Sequence, residues 1–181
     1  MITGDFIDEF FVETVDIDPF NDLTMPIYLV TGNHEYYLEP GTIQKVIDGT
    51  NIQLIDSMKV VYEDLDIVGV DELQTVENTL GMVGGVDMNR YTILLDHQPL
   101  KDEAHKASES GVALMLSGHT HNGQIWPMGL LVKLRYMYVG GLYEIGNMFL
   151  YVNQGTGTLG PKMRLGTVNE ITHIMLIPDN E

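Results

Sequence analysis

The sequence predicts an α/β fold with mixed sheets, and three patterns point to it. Short apolar runs rich in Val, Ile and Tyr recur along the chain at strand length. Polar or helix-prone stretches separate those runs, as in chains that alternate strand with helix. A Gly146-Asn147 pair between two apolar runs reads as a two-residue hairpin turn.

The elements follow in order. A weak helical pattern lies near Asp8–Val15, and a strand is expected at Ile27–Thr31, where aromatic and β-branched residues cluster. Pro40–Asp48 reads as a helix, Gln53–Val61 as one continuous strand, and Asp66–Val70 as the next. Tyr91–Asp96 is a strand, Lys101–Ser110 a polar helix, and Val112–Ser117 a buried strand. Leu142–Ile145 and Met148–Asn153 flank the hairpin turn, and Ile171–Ile177 is expected to close a sheet.

The 181 residues fit one domain, 1–181, with a substantial core. Apolar runs such as Val112–Leu116 are far too short to span a bilayer. With no cysteine, disulfides and thiolate metal sites are excluded. The net charge of −17 is uneven: residues 1–100 carry 19 acids against 3 bases, and residues 101–181 carry 7 against 6. Nucleic acid is therefore not an expected partner, because phosphate repulsion opposes its approach.

Four short motifs are spread along this framework: Gly4-Asp5-Phe6-Ile7-Asp8, Gly32-Asn33-His34-Glu35, Asp96-His97 and Gly118-His119-Thr120-His121. The last three follow apolar runs, so their side chains belong to loops at the carboxyl ends of strands, where α/β sheets bind ligands. A Gly-Asp or Gly-Asn pair alone reads as a turn, whereas Gly118-His119-Thr120-His121 is a stronger signal, since two imidazoles leaving one strand end rarely serve packing alone. Together Asp5, Asn33, His97, His119 and His121 supply a short carboxylate, an amide oxygen and three imidazoles. These donor types can hold two divalent cations about 3.5–4 Å apart around a phosphate. A nitrogen and oxygen set without sulfur suits Mn²⁺, Fe or Zn²⁺.

In order and approximate spacing the motifs resemble those of calcineurin-like metallophosphoesterases. His121-Asn122-Gly123-Gln124-Ile125 with Pro127, Gly141-Leu142-Tyr143, Leu150-Tyr151-Val152-Asn153-Gln154-Gly155, Arg164 and Glu170-Ile171 resemble a bacterial branch of membrane-anchored or exported phosphodiesterases. The resemblance implies a four-layer α/β/β/α sandwich. It also implies a metal-dependent hydrolase of phosphoesters, phosphodiesters foremost, that uses a metal-bound hydroxide. By the same resemblance Asp5 bridges two metals, Asn33, His97 and His119 complete the second, and His121 serves the first. His34 is implied to contact the substrate phosphate and to protonate the leaving group, a role suited to a near-neutral imidazole.

The family's opening Asp-x-His motif occurs nowhere in this sequence. The expectation is thus a domain lacking its N-terminal strand and helix, with an exposed sheet edge open to self-association. Membrane contact is expected only through a segment outside these residues. The alternative is a truncated, catalytically impaired fold acting as a metal-binding or interaction module. Asp8 and Glu35 are expected to support ligands without coordinating, and Asp96 either orients His97 or ends its strand. His105 is expected in solvent and His173 packed or at the surface. Lys133, Arg135, Lys162 and Arg164 are candidates to receive an anionic substrate, and Arg164 alone has a family counterpart. Met128, Met137 and Met148 read as packing residues.

Overall fold

Side chains alternate along a strand, and Ile27–Val30 (β2) shows what that alternation builds here. Ile27 and Leu29 join Ile47 and Ile52 in one apolar cluster, while Tyr28 and Val30 join Ile55, Ile67, Ile93, Leu95 and Leu114 in another. A strand buried on both faces must lie between two layers. The computed structural model, which describes residues 1–7 and 17–177, shows those layers.

Ile2–Thr3 (β1), β2 and Ile52–Leu54 (β3) form a parallel sheet in the order β1-β2-β3. Its outer face carries Phe6, Phe20, Ile43 and Ile47, the last two from helix Thr42–Ile47 (α1). Met58–Tyr62 (β4), Leu65–Gly69 (β5), Tyr91–Leu95 (β6), Leu114–Ser117 (β7), Gly141–Ile145 (β8) and Met148–Val152 (β9) form the second sheet. Its order is β4-β5-β6-β7-β9-β8, parallel from β5 to β9 and antiparallel at both ends.

Ile67, Ile93, Leu95 and Leu114 pack on the first sheet, whereas Val68, Leu94, Met115 and Leu150 point the other way. There they meet Val76 and Leu80 of helix Val76–Met82 (α2) and Ala104 and Ala107 of helix Lys101–Glu109 (α3). The result is a mixed α/β/β/α sandwich. Each fully buried aliphatic side chain contributes about 1.5–3 kcal/mol to holding it.

Three expectations are corrected. Gln53–Val61 is not one strand: Ile55–Ser57 turns between the sheets, with Ser57 at φ 53 and Asp56 bonded to Thr31. Residues 171–177 form no strand. Their side chains are mostly exposed, Ile171 at 90%, and no neighbouring backbone pairs with them among the described residues. Met148 is a core residue, but Met128 and Met137 lie in solvent. The expected helix at Asp8–Val15, and Asp8 with it, lies outside the described residues.

Two helices were not expected. Thr75 caps α2 by accepting from the Asn78 amide, at 3.1 Å. Met128–Arg135 (α4) follows Pro127 and buries none of its side chains.

Candidate metal centre

Four parallel strands end at one place. β1 runs into Gly4-Asp5, β2 into Gly32-Asn33-His34, β6 into Asp96-His97 and β7 into Gly118-His119. The first two belong to one sheet and the last two to the other, so the loops meet along the seam between the layers. Glycine is required at Gly32: a Cβ there would collide with the Asp5 carboxylate and fall 2.7 Å from the His97 ring.

His97 is almost wholly buried and organises the centre. Its Nδ1 lies 2.7 Å from the Thr3 carbonyl, an acceptor only, so Nδ1 carries the proton. Nε2 then faces Asp5 Oδ2 at 3.1 Å, Asn33 Oδ1 at 3.2 Å and His119 Nδ1 at 3.0 Å.

The tautomer of His119 is fixed by a chain of bonds from the other side. The Glu72 carboxylate accepts from Gln98 Nε2, which leaves Gln98 Oε1 to accept the Tyr136 hydroxyl at 2.9 Å. The Tyr136 oxygen must then accept from His119 Nε2, 2.8 Å away, and His119 Nδ1 is left as a lone pair. Four lone-pair atoms thus crowd together with no donor among them. Such a group repels itself unless a cation sits inside it, and its mix of imidazole, amide and carboxylate fits a divalent metal ion. Asp5, His97 and His119 alone place ligand atoms within 4.8 Å of one another.

The electrostatics agree. Burial pushes His119 down to about 4, with the neighbouring His97 adding to the effect, so it is neutral and able to ligate at neutral pH. Burial also acts against His97, but bonding to Asp5 overcomes it and raises the ring above its ordinary value. A proton on His97 Nε2 meets the same need as a metal. Asp5 is lowered although burial opposes it, because the His97 bond and charge and the His34 amide prevail.

Glu35 supports the site from beneath: its carboxylate accepts from the amides of Asp5 at 2.9 Å, Ile7 at 3.0 Å and Gly32 at 2.7 Å. Asp96 does not orient His97, since Thr3 holds that ring. Burial and the nearby Glu72 push Asp96 up to about 7.

A cavity of about 330 Å³ is lined by Asp5, Asn33, His34, Tyr37, His119, His121 and Leu159. His34 contributes its amide to Asp5 Oδ1 at 3.0 Å, and its ring is on the wall, outside the ligand cluster. His121 is also outside the cluster, and Arg164 Nη2 lies 3.3 Å from its Nδ1. Arg164 is tied into the loop backbone. Its guanidinium is bonded to the carbonyls of Gln154, Gly155 and Gly157 at 2.8, 3.2 and 2.6 Å.

His105 and His173 are both exposed. Sequence reasoning did not find Tyr136, Gln98 or Glu72. Adjacency of Gln98 to His97 was the one available signal.

Residues 1–123 match the family model of calcineurin-like phosphoesterases. The chain belongs to this family. An uncharacterized metallophosphoesterase of Helicobacter pylori is 35% identical over 193 residues, covering 100% of this chain and 51% of that protein. A transmembrane protein with metallophosphoesterase domain from Bos taurus is 34% identical, covering 97% of this chain and 45% of its own length. An uncharacterized metallophosphoesterase of Campylobacter jejuni is 35% identical, with 97% of this chain and 50% of that protein covered. Similar proteins thus occur in bacteria and animals, and the chain spans about half the length of the curated relatives it matches. No solved structure matches. Among the described residues, no helix is long and apolar enough to cross a membrane.

Proposed function

We propose that this chain is a divalent-metal-dependent hydrolase of phosphodiesters, with Asp5, Asn33, His97 and His119 holding one ion. The observation that carries the reading is the meeting of Asp5 Oδ2, Asn33 Oδ1 and His119 Nδ1 within 3.2 Å of the unprotonated His97 Nε2. When bound, divalent ions supply Lewis-acid polarisation of the phosphoryl group and acidify water. The residues of the chain do the positioning. Asp5, with Oδ1 accepting from the His34 amide and Oδ2 in the cluster, would hold a second ion together with His121. His34, on the cavity wall, gives a proton to the leaving alkoxide. The relatives named as transmembrane proteins support a working place at a membrane.

The test is turnover of bis(4-nitrophenyl) phosphate by metal-stripped protein given Mn²⁺, Zn²⁺ or Fe²⁺. Hydrolysis should require the metal, exceed that of the monoester, and disappear in His119→Asn. Turnover indifferent to chelator would refute the reading. One observation favours a second reading, a metal-binding module without catalysis: His121 is turned toward Arg164 and outside the cluster. On that reading the protein takes up one ion per chain and hydrolyses neither ester.

A further inference from the structure

The chain is strongly acidic, yet from residue 110 to residue 169 Glu144 is the single acid against four bases. Within that stretch α4 reads Met-Gly-Leu-Leu-Val-Lys-Leu-Arg, and none of its side chains is buried. Leu134 is 85% exposed, Leu130 61% and the preceding Trp126 68%, with Lys133 exposed among them. Scattered exposed leucines need no explanation, but a contiguous apolar face does.

This face is fixed beside the metal centre. Gly123, two residues after His121, packs so closely on Gly129 of α4 that no Cβ fits between them. A second cavity, of about 310 Å³, opens there between Trp126, Leu130, Lys133 and Leu165, and Asn122 lines it while the adjacent His121 lines the first. The apolar helix is therefore coupled to the loop that carries His119 and His121.

Charge selects the occupant. A chain of net charge −17 is repelled by an anionic surface in most orientations. On α4 and the preceding Trp126, exposed apolar side chains and a tryptophan coincide with Lys133 and Arg135, and the helix itself carries no acid. Apolar residues that enter the acyl boundary, an interfacial tryptophan, and a lysine that extends to the headgroups are the recognised means of holding a protein on a bilayer. We propose that α4 and Trp126 dock the protein on an anionic membrane surface and turn the metal cavity toward phosphoesters carried by that membrane. The second clause rests on the hydrolase reading; the docking itself does not.

Trp126 is the only tryptophan, so its fluorescence reports on this face alone. Purified chain is mixed with vesicles of phosphatidylcholine, with and without phosphatidylglycerol, and followed by sedimentation and by Trp126 emission. The expected result is binding to the anionic vesicles with a blue shift, weakened by salt. Leu130→Glu with Leu134→Glu should lower binding at least about tenfold, and Lys133→Gln about fivefold. Circular dichroism and metal content should be unchanged in both variants, which separates loss of docking from loss of fold. Failure to bind vesicles would overturn the proposal, as would binding that survives the double substitution. Self-association sensitive to the same substitutions, without vesicle binding, would assign the face to a second copy of the chain instead. Absence of hydrolysis of the soluble ester by the unsubstituted chain would count against the hydrolase reading and leave the docking result standing.

Discussion

The two halves of the centre are built differently. Asp5, Gly32 and His97 sit directly on strand ends, with backbone atoms as partners: the Thr3 carbonyl for His97, and three amides for the Glu35 carboxylate beneath. His119 and His121 lie on a loop held by side chains: Tyr136 on one side, Arg164 on the other. Both halves hold non-glycine residues at positive φ, Asp5 alone in the platform and several in the loop. His119, His121, Asn122 and Gln124 all have positive φ, a conformation costing non-glycine residues of order 1–3 kcal/mol each. Backbone partners cannot be mutated away, whereas side-chain partners can. The sheet half is the stable platform, and the loop half is where affinity can be tuned.

The largest effects should come from the platform. Asp5→Ala or His97→Ala removes a ligand with no substitute nearby, and metal should fall below detection in elemental analysis of purified protein. Retention of one equivalent in either variant would mean that the ion sits elsewhere. In the unsubstituted chain, calorimetry should find one ion held much more tightly than any second, because Asp5 and His121 are the only residues assigned to the other position. Next in size is His34→Asn, which should lower turnover roughly 10²–10⁴-fold, the scale of a lost proton donor, with metal content unchanged. A variant that loses its metal would make His34 a ligand instead.

The same contrast governs what could be read from the sequence. Asn33 and His97 follow apolar runs that fix where their loops emerge, whereas Asp5 has only Met1–Thr3 before it and was marked by the resemblance of its motif. The strand at Ile27–Val30 was legible from its residues, but the layers it lies between were implied only by the resemblance. The supports of the loop half were not legible. Tyr136 reaches His119 from 17 residues away, and nothing in the spacing of Gln98 and Glu72 marks them as one chain of bonds. The strand expected at 171–177 misled for a related reason: β-branched and apolar residues suit a strand, but pairing requires a neighbour that only tertiary structure supplies.

Tyr136→Phe tests the tunable half. Loss of the hydroxyl leaves His119 Nε2 and Gln98 Oε1 without each other's intermediary, and the proton on His119 no longer has a preferred nitrogen. Metal affinity should fall about 10–100-fold, the usual effect of removing an outer partner of a ligating histidine. The ¹⁵N shifts of His119 in metal-free protein should change from the Nε2–H form to a mixture of tautomers. Glu72→Gln, which keeps an acceptor for Gln98, should preserve both the tautomer and the affinity. An unchanged ¹⁵N spectrum in Tyr136→Phe would show that Tyr136 only packs against the ring.

The smallest expected effect returns to the platform. Asp56 braces the strand end before Gly32, accepting from the Thr31 amide at 2.9 Å and its hydroxyl at 2.8 Å. Burial, assisted by the charges of Asp71 and Glu35, pushes it up to about 6 against the opposing Thr31 bonds. A carboxyl whose folded value lies above its unfolded one favours folding fully below pH 3.8, and that contribution is lost as pH rises through about 6. The shift corresponds to at most about 3 kcal/mol, less whatever partial exposure screens away. Asp56→Asn stays neutral and can still accept from the Thr31 amide. Urea midpoints of chelated protein should therefore fall between pH 4.5 and 7 more steeply for the unsubstituted chain than for Asp56→Asn. Parallel curves would mean that Asp56 ionises without cost, and that the platform owes nothing to a strained carboxylate.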